Sequence, residues 1–131
     1  MSDITVYGAT GLVGQLVARF LASINAPSVT LAGRNRPVLA ALRDELNPHW
    51  DIAIAAADDA DAVEHMVEHT KVLITVIGPY SLYGDNVVAA CARHGVDYVD
   101  LCGEVPFIRR SIDSHHAVAE STGARIVHSC G

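Results

Sequence analysis

Basic residues are few in this sequence, and they nowhere form a stripe. The 131 residues include nine Lys and Arg against fifteen Asp and Glu, which gives a formal net charge of −6 at pH 7. Proteins that bind nucleic acid or anionic membrane surfaces concentrate positive charge on one face. We therefore expect neither partner for this segment, although a local anion site remains compatible with the composition.

Long apolar runs are also absent. No stretch approaches the roughly 18 consecutive apolar residues of a membrane span, so membrane contact is not indicated in this segment. The first residues, Met1–Ile4, lack the basic and then apolar pattern of a secretory signal. The sequence predicts a cytoplasmic protein.

Cysteine is sparse, and the spacing of the three cysteines indicates neither a disulfide framework nor a zinc site. Cys91, Cys102 and Cys130 are odd in number and include no Cys-x-x-Cys pair, unlike a disulfide scaffold or a zinc site. We expect reduced thiols and no metal. Three histidines on predicted helices, which lack ligand spacing or carboxylate partners, are expected to be surface or helix-end residues: His94, His115 and His116.

No linker, repeat or low-complexity tract interrupts the chain, and half of its residues are apolar. One domain with a continuous core is therefore expected. Short β-branched runs alternate with segments of helical periodicity. The predicted strands are Asp3–Tyr7, Ser28–Ala32, Asp51–Ala56, Val72–Ile77, Tyr98–Leu101 and Arg125–His128. The predicted helices are Leu12–Ser23, Pro37–Leu46, Ala60–His69, Asn86–His94 and Pro106–Ser121.

This alternation predicts parallel strands joined by right-handed crossovers. The expected fold is an α/β, Rossmann-type doubly wound sheet of about six strands in the order 3-2-1-4-5-6, forming a single domain over residues 1–131. Pro37 and Pro106 suit a first helical turn, because the amide they lack would have no partner there. Gly95 and Gly123 suit the left-handed turn that ends a helix.

A glycine loop joins the first strand to the first helix. Its G-x-x-G-x-x-G pattern reads Gly8, Ala9, Thr10, Gly11, Leu12, Val13 and Gly14. In this context Gly8 allows a tight turn, Gly11 lets the backbone approach a pyrophosphate, and Gly14 lets the helix lie close to the sheet. The free amides of Leu12 and Val13 would hold the phosphates. The alternative interpretation is that the three glycines only make a flexible turn. The spacing of the glycines is compatible with either NAD or NADP.

The end of the second strand favours NADP(H) over NAD(H). In NAD sites an acidic residue accepts hydrogen bonds from the ribose hydroxyls here. This chain has no acid at that point and reads Gly33, Arg34, Asn35 and Arg36. Arg34 can stack on adenine or pair with a 2′-phosphate, and its two polar neighbours can add donors. The alternative is a solvated arginine at a strand end.

Two further loops leave the predicted carboxyl edge of the sheet. Asp58 and Asp59 follow the third strand, and they either accept a hydrogen bond from the adenine amino group, or one of them caps the next helix. Gly78 and Pro79 would place bare backbone against the nicotinamide ribose. Tyr80 or Tyr83 would shape the nicotinamide pocket, or pack beneath the loop.

Asp100 and Glu104 lie at the exit of the fifth strand, and two carboxylates at one rim suggest acid/base chemistry. Glu104, however, stands just before a helix, where a carboxylate favours the helix dipole whatever the chemistry, so the structural interpretation is favoured for it. Cys102 is expected to be a small buried thiol and Cys91 a core residue. The sequence identifies no catalytic residue.

Taken together, these segments resemble the saccharopine dehydrogenase-like oxidoreductases, and within them the trans-acting enoyl reductases of actinobacterial lipid synthesis. The resemblance covers nearly the whole chain, and its most particular parts are the tyrosine-flanked loop and the segment ending at Glu104. Cys102 departs from it, since Thr or Ala is frequent there. The matching stretches are Tyr7–Gly11, Ala32–Arg34, Gly78–Gly84, Asp97–Glu104 and Gly123–His128.

The resemblance implies an NADPH-dependent reductase of an unsaturated acyl or related substrate, with this segment holding the cofactor. Members of the family continue past the position of Gly131 into a mixed α/β substrate domain. We therefore expect that domain to be absent here, the fragment alone to be inactive, and any homodimer to form through the missing part.

Two other functions compete with this interpretation. A non-catalytic NADP(H)-binding redox sensor would use the same glycine loop. A sugar-nucleotide epimerase or dehydratase is disfavoured, because no Tyr-x-x-x-Lys occurs and the single lysine, Lys71, precedes a strand.

Overall fold

Six parallel strands form one sheet, in the order β3-β2-β1-β4-β5-β6, in the computed structural model, which describes residues 1–131. This confirms the predicted Rossmann-type α/β fold and its strand order. The strands are β1 (Ser2–Tyr7), β2 (Val29–Gly33), β3 (Asp51–Ile54), β4 (Thr70–Thr75), β5 (Asp97–Asp100) and β6 (Ile126–Val127).

Five helices follow the prediction closely, and α1 has the predicted bounds. A single helical turn, α4, was not predicted. No helix combines the length and the apolar character needed to cross a membrane. The helices are α1 (Leu12–Ser23), α2 (Arg36–Leu46), α3 (Ala60–Val67), α4 (Tyr80–Tyr83), α5 (Asp85–His94) and α6 (Val105–Thr122).

The predicted end of β4 at Ile77 is wrong, because β4 ends at Thr75. Its register follows from β1, in which Tyr7 pairs with Thr75. The Val76 amide still donates to the Tyr7 carbonyl at 3.0 Å, but β1 ends there and offers no further partners. Val76 and Ile77 therefore form a half-buried loop above the edge of the sheet.

Alternating side chains of the sheet supply two separate cores, one on each face. On one face, Val6 and Leu31 pack with Ala18 and Leu21 of α1 and with Leu39 of α2. The core of the opposite face joins strand residues to α3, α5 and α6; its largest side chains include Tyr7, Tyr98 and Phe107. Helices thus cover both faces, as a doubly wound sheet requires.

The helix ends confirm the predicted roles of proline at helix starts and of glycine at helix ends. Pro37 and Pro106 lie in first turns. Gly95 and Gly123 adopt φ values of 69° and 83°, in the left-handed region where glycine is favoured. The side chains of Asn35 and Asp59 accept amide hydrogen bonds at the starts of α2 and α3.

The start of α1 touches the turn that precedes it. A Cβ at Gly14 would lie 2.0 Å from the Gly8 carbonyl oxygen and 2.8 Å from the Ala9 Cα, and Gly8 itself has a φ of +89°. Gly8 therefore allows the predicted tight turn, and Gly14 allows the predicted close packing of the helix. Only a helix residue without a side chain allows this close approach of helix and turn.

We predict that Gly14→Ala destabilises the fold by about 1–3 kcal/mol or more, because the methyl group overlaps backbone that cannot swing aside. Gly103→Ala is the matched control: a Cβ there meets nothing within 4 Å, so its effect should stay within about 0.5 kcal/mol. Urea denaturation measures both. Equal midpoints for the two variants would contradict the packing account.

Candidate functional site

The carboxyl ends of the strands surround a cleft of about 360 Å³. The cleft lies where β1 and β4 are neighbours, the point at which the chain passes from one half of the sheet to the other. In open parallel sheets ligands bind at this switch point. The cleft is lined by Gly8, Thr10, Gly11, Gly33, Arg34, Ala57, Asp58, Val76, Ile77, Gly78 and Tyr83.

Half of the predicted cofactor residues line this cleft, drawn from four separate loops: Gly8, Thr10, Gly11, Gly33, Arg34, Asp58 and Gly78. The structure does not place the rest on its wall. Ala9 and Gly14 are buried at the turn and Tyr80 is buried beneath the loop, whereas the others are exposed beside the cleft: Leu12, Val13, Asn35 and Pro79. Asn35 uses its side-chain oxygen to cap α2.

The first turn of α1 leaves three amides without an acceptor. No backbone or side-chain oxygen of the chain receives a hydrogen bond from Leu12, Val13 or Gly14, and the capping position is Gly11, which has no side chain to offer. The first bond of the helix runs from Gln15 to the Gly11 carbonyl at 2.9 Å. Free amides at the positive end of a helix dipole are suited to an anion.

Gly11 keeps the approach to these amides open. Its backbone is extended, with φ −73° and ψ 170°, and a Cβ would find only the Gly8 carbonyl oxygen, at 3.6 Å. The protein could therefore accommodate a side chain at Gly11, and that side chain would occupy the space in front of the loop. This geometry fits a loop that cradles phosphate, because the glycine is dispensable for packing.

Arg34 and Asp58 face the cleft with their charges uncommitted. Arg34 is exposed at the end of β2 and forms neither an ion pair nor a hydrogen bond within the chain, and the Asp58 carboxylate is equally free. Its neighbour Asp59 caps α3 through the Ala62 amide at 3.0 Å. The two interpretations of this aspartate pair are thus divided between its members: one caps a helix and one lines the cleft.

Tyr80 and Tyr83 take different environments. The Tyr80 hydroxyl donates to the Thr75 carbonyl at 3.2 Å and accepts from the Leu101 amide at 3.3 Å. Burial raises its pKa. Tyr83 is 41% exposed and lies on the cleft wall. Of the two tyrosines, Tyr83 is therefore the one placed to meet a ligand, while Tyr80 joins the ends of β4 and β5.

Glu104 stabilises a helix terminus, but not that of the helix it precedes. Its carboxylate accepts from the Tyr80 amide at 2.7 Å and the Ser81 amide at 3.2 Å. These bonds at the start of α4 lower the pKa of Glu104. It makes no side-chain bond at the start of α6. Glu104 also stands at the predicted start of α6, and its bonds to α4 were not foreseen because α4 itself was not predicted.

Asp100 is the centre of a buried network. Its carboxylate accepts from the Tyr98 hydroxyl at 2.6 Å, the His128 Nδ1 at 2.7 Å and the amides of Cys102 and Ser129, each at 2.9 Å. Burial acts to raise the pKa of Asp100, but the bonds from His128 and Tyr98 outweigh it and hold the pKa below its usual range. Ionised and fully bonded, Asp100 ties loops together and is not disposed to donate a proton.

His128 is the residue of this network that sequence reasoning missed. Its Nε2 lies 3.0 Å from the Ser111 Oγ on α6, and its ring packs edge-on against Tyr98 and Phe107. The available signal was topological: Val99 pairs with Val127, so the residues after β5 and β6 must meet at one edge of the sheet.

His94, His115 and His116 all have carboxylate partners, contrary to expectation. His116 pairs within its own helix, with its Nε2 3.4 Å from Glu120 Oε2. His94 Nε2 lies 2.5 Å from Glu64 Oε1 and His115 Nε2 lies 3.2 Å from Asp85 Oδ1. These pairs join α5 to α3 and to α6, which come together only through tertiary packing. Cys91 and Cys102 are buried as predicted, Cys130 is exposed, and all three thiols are free.

The family profile described as "Saccharopine dehydrogenase NADP binding domain" matches residues 4–127. Among curated proteins, the "Trans-acting enoyl reductase" of Mycobacterium leprae is 46% identical over 133 residues, and that of Mycobacterium ulcerans is 44% identical. Each match covers 98% of this chain and 32% of the relative. The chain thus spans about a third of the length of these relatives.

Solved structures share the fold at low sequence identity. Saccharopine dehydrogenase (L-Glu forming) from Saccharomyces cerevisiae aligns with a TM-score of 0.79 at 23% identity, over 100% of this chain and 27% of that one. Triphenylmethane reductase from Citrobacter sp., complexed with NADP(H), aligns with a TM-score of 0.71 at 20% identity, over 96% and 48% of the two chains.

We predict that Asp100→Asn lowers the free energy of unfolding by about 3 kcal/mol at pH 7, because the amide nitrogen would face groups that bond to the carboxylate. Asp113→Asn, which removes an exposed ion pair with Arg109, should change the stability far less, because solvent screens exposed pairs.

The difference in free energy of unfolding between Asp100→Asn and the unaltered chain should become smaller at acidic pH. The folded pKa of Asp100 is lowered, so the stability that its carboxylate contributes is complete above the unfolded pKa of about 3.9. That contribution is lost as the pH falls through the lower folded pKa. Urea titrations at pH 7 and pH 3 test this, and a gap that widens in acid would contradict it.

Proposed function

The chain belongs to the saccharopine dehydrogenase NADP-binding-domain family, and from that premise we propose that it is the cofactor-holding part of an NADPH-dependent enoyl reductase. NADP(H) is the cofactor of this family. One observation supports this assignment of residues. The start of α1, which has no side-chain cap, and Arg34, which has no partner in the chain, lie at the same cleft.

The pyrophosphate is assigned to the start of α1. The amides of Leu12 and Val13 lack acceptors in the chain, and Gly11 leaves the way to them clear. Two phosphate groups carry the negative charge that such a helix end favours. Thr10, which also lines the cleft, adds a hydroxyl beside the same anion.

The adenosine end is assigned to the termini of β2 and β3. Arg34 can form a bidentate pair with the 2′-phosphate, and no carboxylate stands at the end of β2 to oppose it. Asp58, across the cleft, is an acceptor for the adenine amino group. The nicotinamide end then falls toward β4, where Gly78 exposes bare backbone and Tyr83 provides a half-exposed ring.

Bound NADPH would supply the hydride that reduces an activated carbon–carbon double bond. The contribution of this chain is to bind and orient the cofactor. Neither acid at the cleft rim is disposed to donate a proton, because Asp100 and Glu104 are committed to hydrogen bonds that lower their pKa values. We propose that the acyl substrate and the proton donor are held by parts of the full-length relatives outside the matched third.

We predict that the chain binds NADPH more tightly than NADH, and that Arg34→Asp removes this preference by setting a carboxylate against the 2′-phosphate. Arg125→Asp is the control, because it makes the same change of charge beyond the amino end of β6. Calorimetric titration with both cofactors gives the ratio. A preference that survives Arg34→Asp would show that Arg34 is only a surface residue.

We also predict that the chain alone does not oxidise NADPH in the presence of enoyl thioesters. Holding both reactants in near-attack geometry is worth roughly 7 to 11 kcal/mol of the barrier, and only the cofactor side is held here. A chimera in which this chain replaces the matched third of the Mycobacterium leprae relative should restore turnover, followed by absorbance. Turnover by the chain alone at the rate of the chimera would refute this division of labour. A folded chimera that binds NADPH without reducing any thioester would favour a redox sensor.

A further inference from the structure

A cluster of side chains that can coordinate a metal ion lies at the end of α3, just before the amino end of β4. His65 stands in the last turn of the helix, Glu68 is its C-cap residue, and His69 follows directly. All three are exposed, and one potential ligand atom from each lies within 4.8 Å of the other two. We propose that these residues form a binding site for a divalent transition-metal cation of the zinc class.

The spacing has a direct geometric reason. Residues four apart on a helix lie on the same face, one turn above the other, and two histidines so placed can coordinate one ion. The His65 and His69 ring centroids are 4.4 Å apart. The helical conformation continues through Glu68, whose φ is −65° and ψ −9°, so its carboxylate remains beside the imidazoles.

One imidazole is already oriented for coordination. His69 Nδ1 lies 2.7 Å from the His65 carbonyl oxygen, and since that carbonyl can only accept, Nδ1 carries the proton. The Nε2 atom of His69 is therefore the one with a free lone pair. A ring N–H that donates to a backbone carbonyl is the arrangement that commonly supports a metal-bound histidine.

The side chains of the cluster need only small movements to close on an ion. His65 Nδ1 lies 3.5 Å from Glu68 Oε1, and the two side chains are 76% and 43% exposed, so no packing resists their adjustment. Two imidazoles and one carboxylate suit Zn²⁺, Ni²⁺, Co²⁺ or Cu²⁺ rather than Mg²⁺ or Ca²⁺, which prefer all-oxygen sets.

The two histidines also line a cleft of about 410 Å³ between α3 and strands β1, β2 and β3. Asp51, at the start of β3, lines the same cleft and brings a second carboxylate, while Arg36 and Met1 bring positive charge. An ion on the three protein ligands would retain an open coordination position toward this cleft. The expectation of no metal rested on the cysteines and on His94, His115 and His116, none of which belongs to this cluster.

The test is a calorimetric titration of the full, untagged chain with ZnCl₂ and with NiCl₂. We expect one ion per chain, and a loss of affinity of about tenfold or more in either His65→Gln or His69→Gln, since each removes one of two imidazoles. His116→Gln is the matched control: it removes an exposed helical histidine that has no second histidine four residues away. Cys130→Ser removes the exposed thiol as a competing ligand.

Unchanged affinity in both His65→Gln and His69→Gln, or no binding in the unaltered chain, would overturn the proposal. A loss in Cys130→Ser equal to that in the histidine variants would overturn it as well. Amide NMR adds an independent readout, because Ni²⁺ should broaden signals around residues 65–69 and leave those of the glycine loop unaffected. The outcome does not depend on the NADP(H) assignment, since the two clefts share no lining residue.

Discussion

The contact between Gly14 and the turn at Gly8 and Ala9 is the constraint on which the candidate site depends. A missing side chain at Gly14 lets α1 begin directly against the end of β1, and the helix therefore starts with its amides beside the switch point of the sheet. Because the capping position is also glycine, the chain itself does not satisfy those amides. One packing requirement thus sets where α1 begins and leaves free amides beside the switch point. The exit of β2 then sets Arg34 at the same cleft.

Buried and half-buried carboxylates fix the other side of the cleft. Glu104 holds the start of α4, and Asp100 joins the exits of β5 and β6 through His128 and Ser129. Both acids are kept ionised by the donors around them, so their function is to position loops. A polar network of this kind specifies one arrangement of the loop ends, since a carboxylate left without its donors in the interior would be costly. The rim therefore presents Gly78 and Tyr83 in a defined place.

Local pattern was sufficient to predict most of the fold. The bounds of α1 and the order of the strands follow from periodicity, glycine spacing and the rules of parallel connection, which all act within short stretches of chain. The failures arise where distant segments decide the outcome. The end of β4 is set by where β1 stops, and the burial of Tyr80 is set by bonds to Thr75 and Leu101. Likewise α4 forms where Glu104, twenty-four residues away from Tyr80, supplies its cap. The site residues Ala57, Val76 and Ile77 were missed for the same reason.

The NADPH affinity of Gly11→Val, measured by calorimetry, tests most directly whether the start of α1 cradles the pyrophosphate. The backbone of Gly11 is extended and its Cβ position is free of close contacts, so the variant should fold, as circular dichroism will report. Its side chain would nevertheless fill the space before the amides of α1. The account predicts a folded Gly11→Val protein with no measurable NADPH binding, beside a Gly103→Val control that binds normally. A folded Gly11→Val protein that binds NADPH as tightly as the unaltered chain would contradict it.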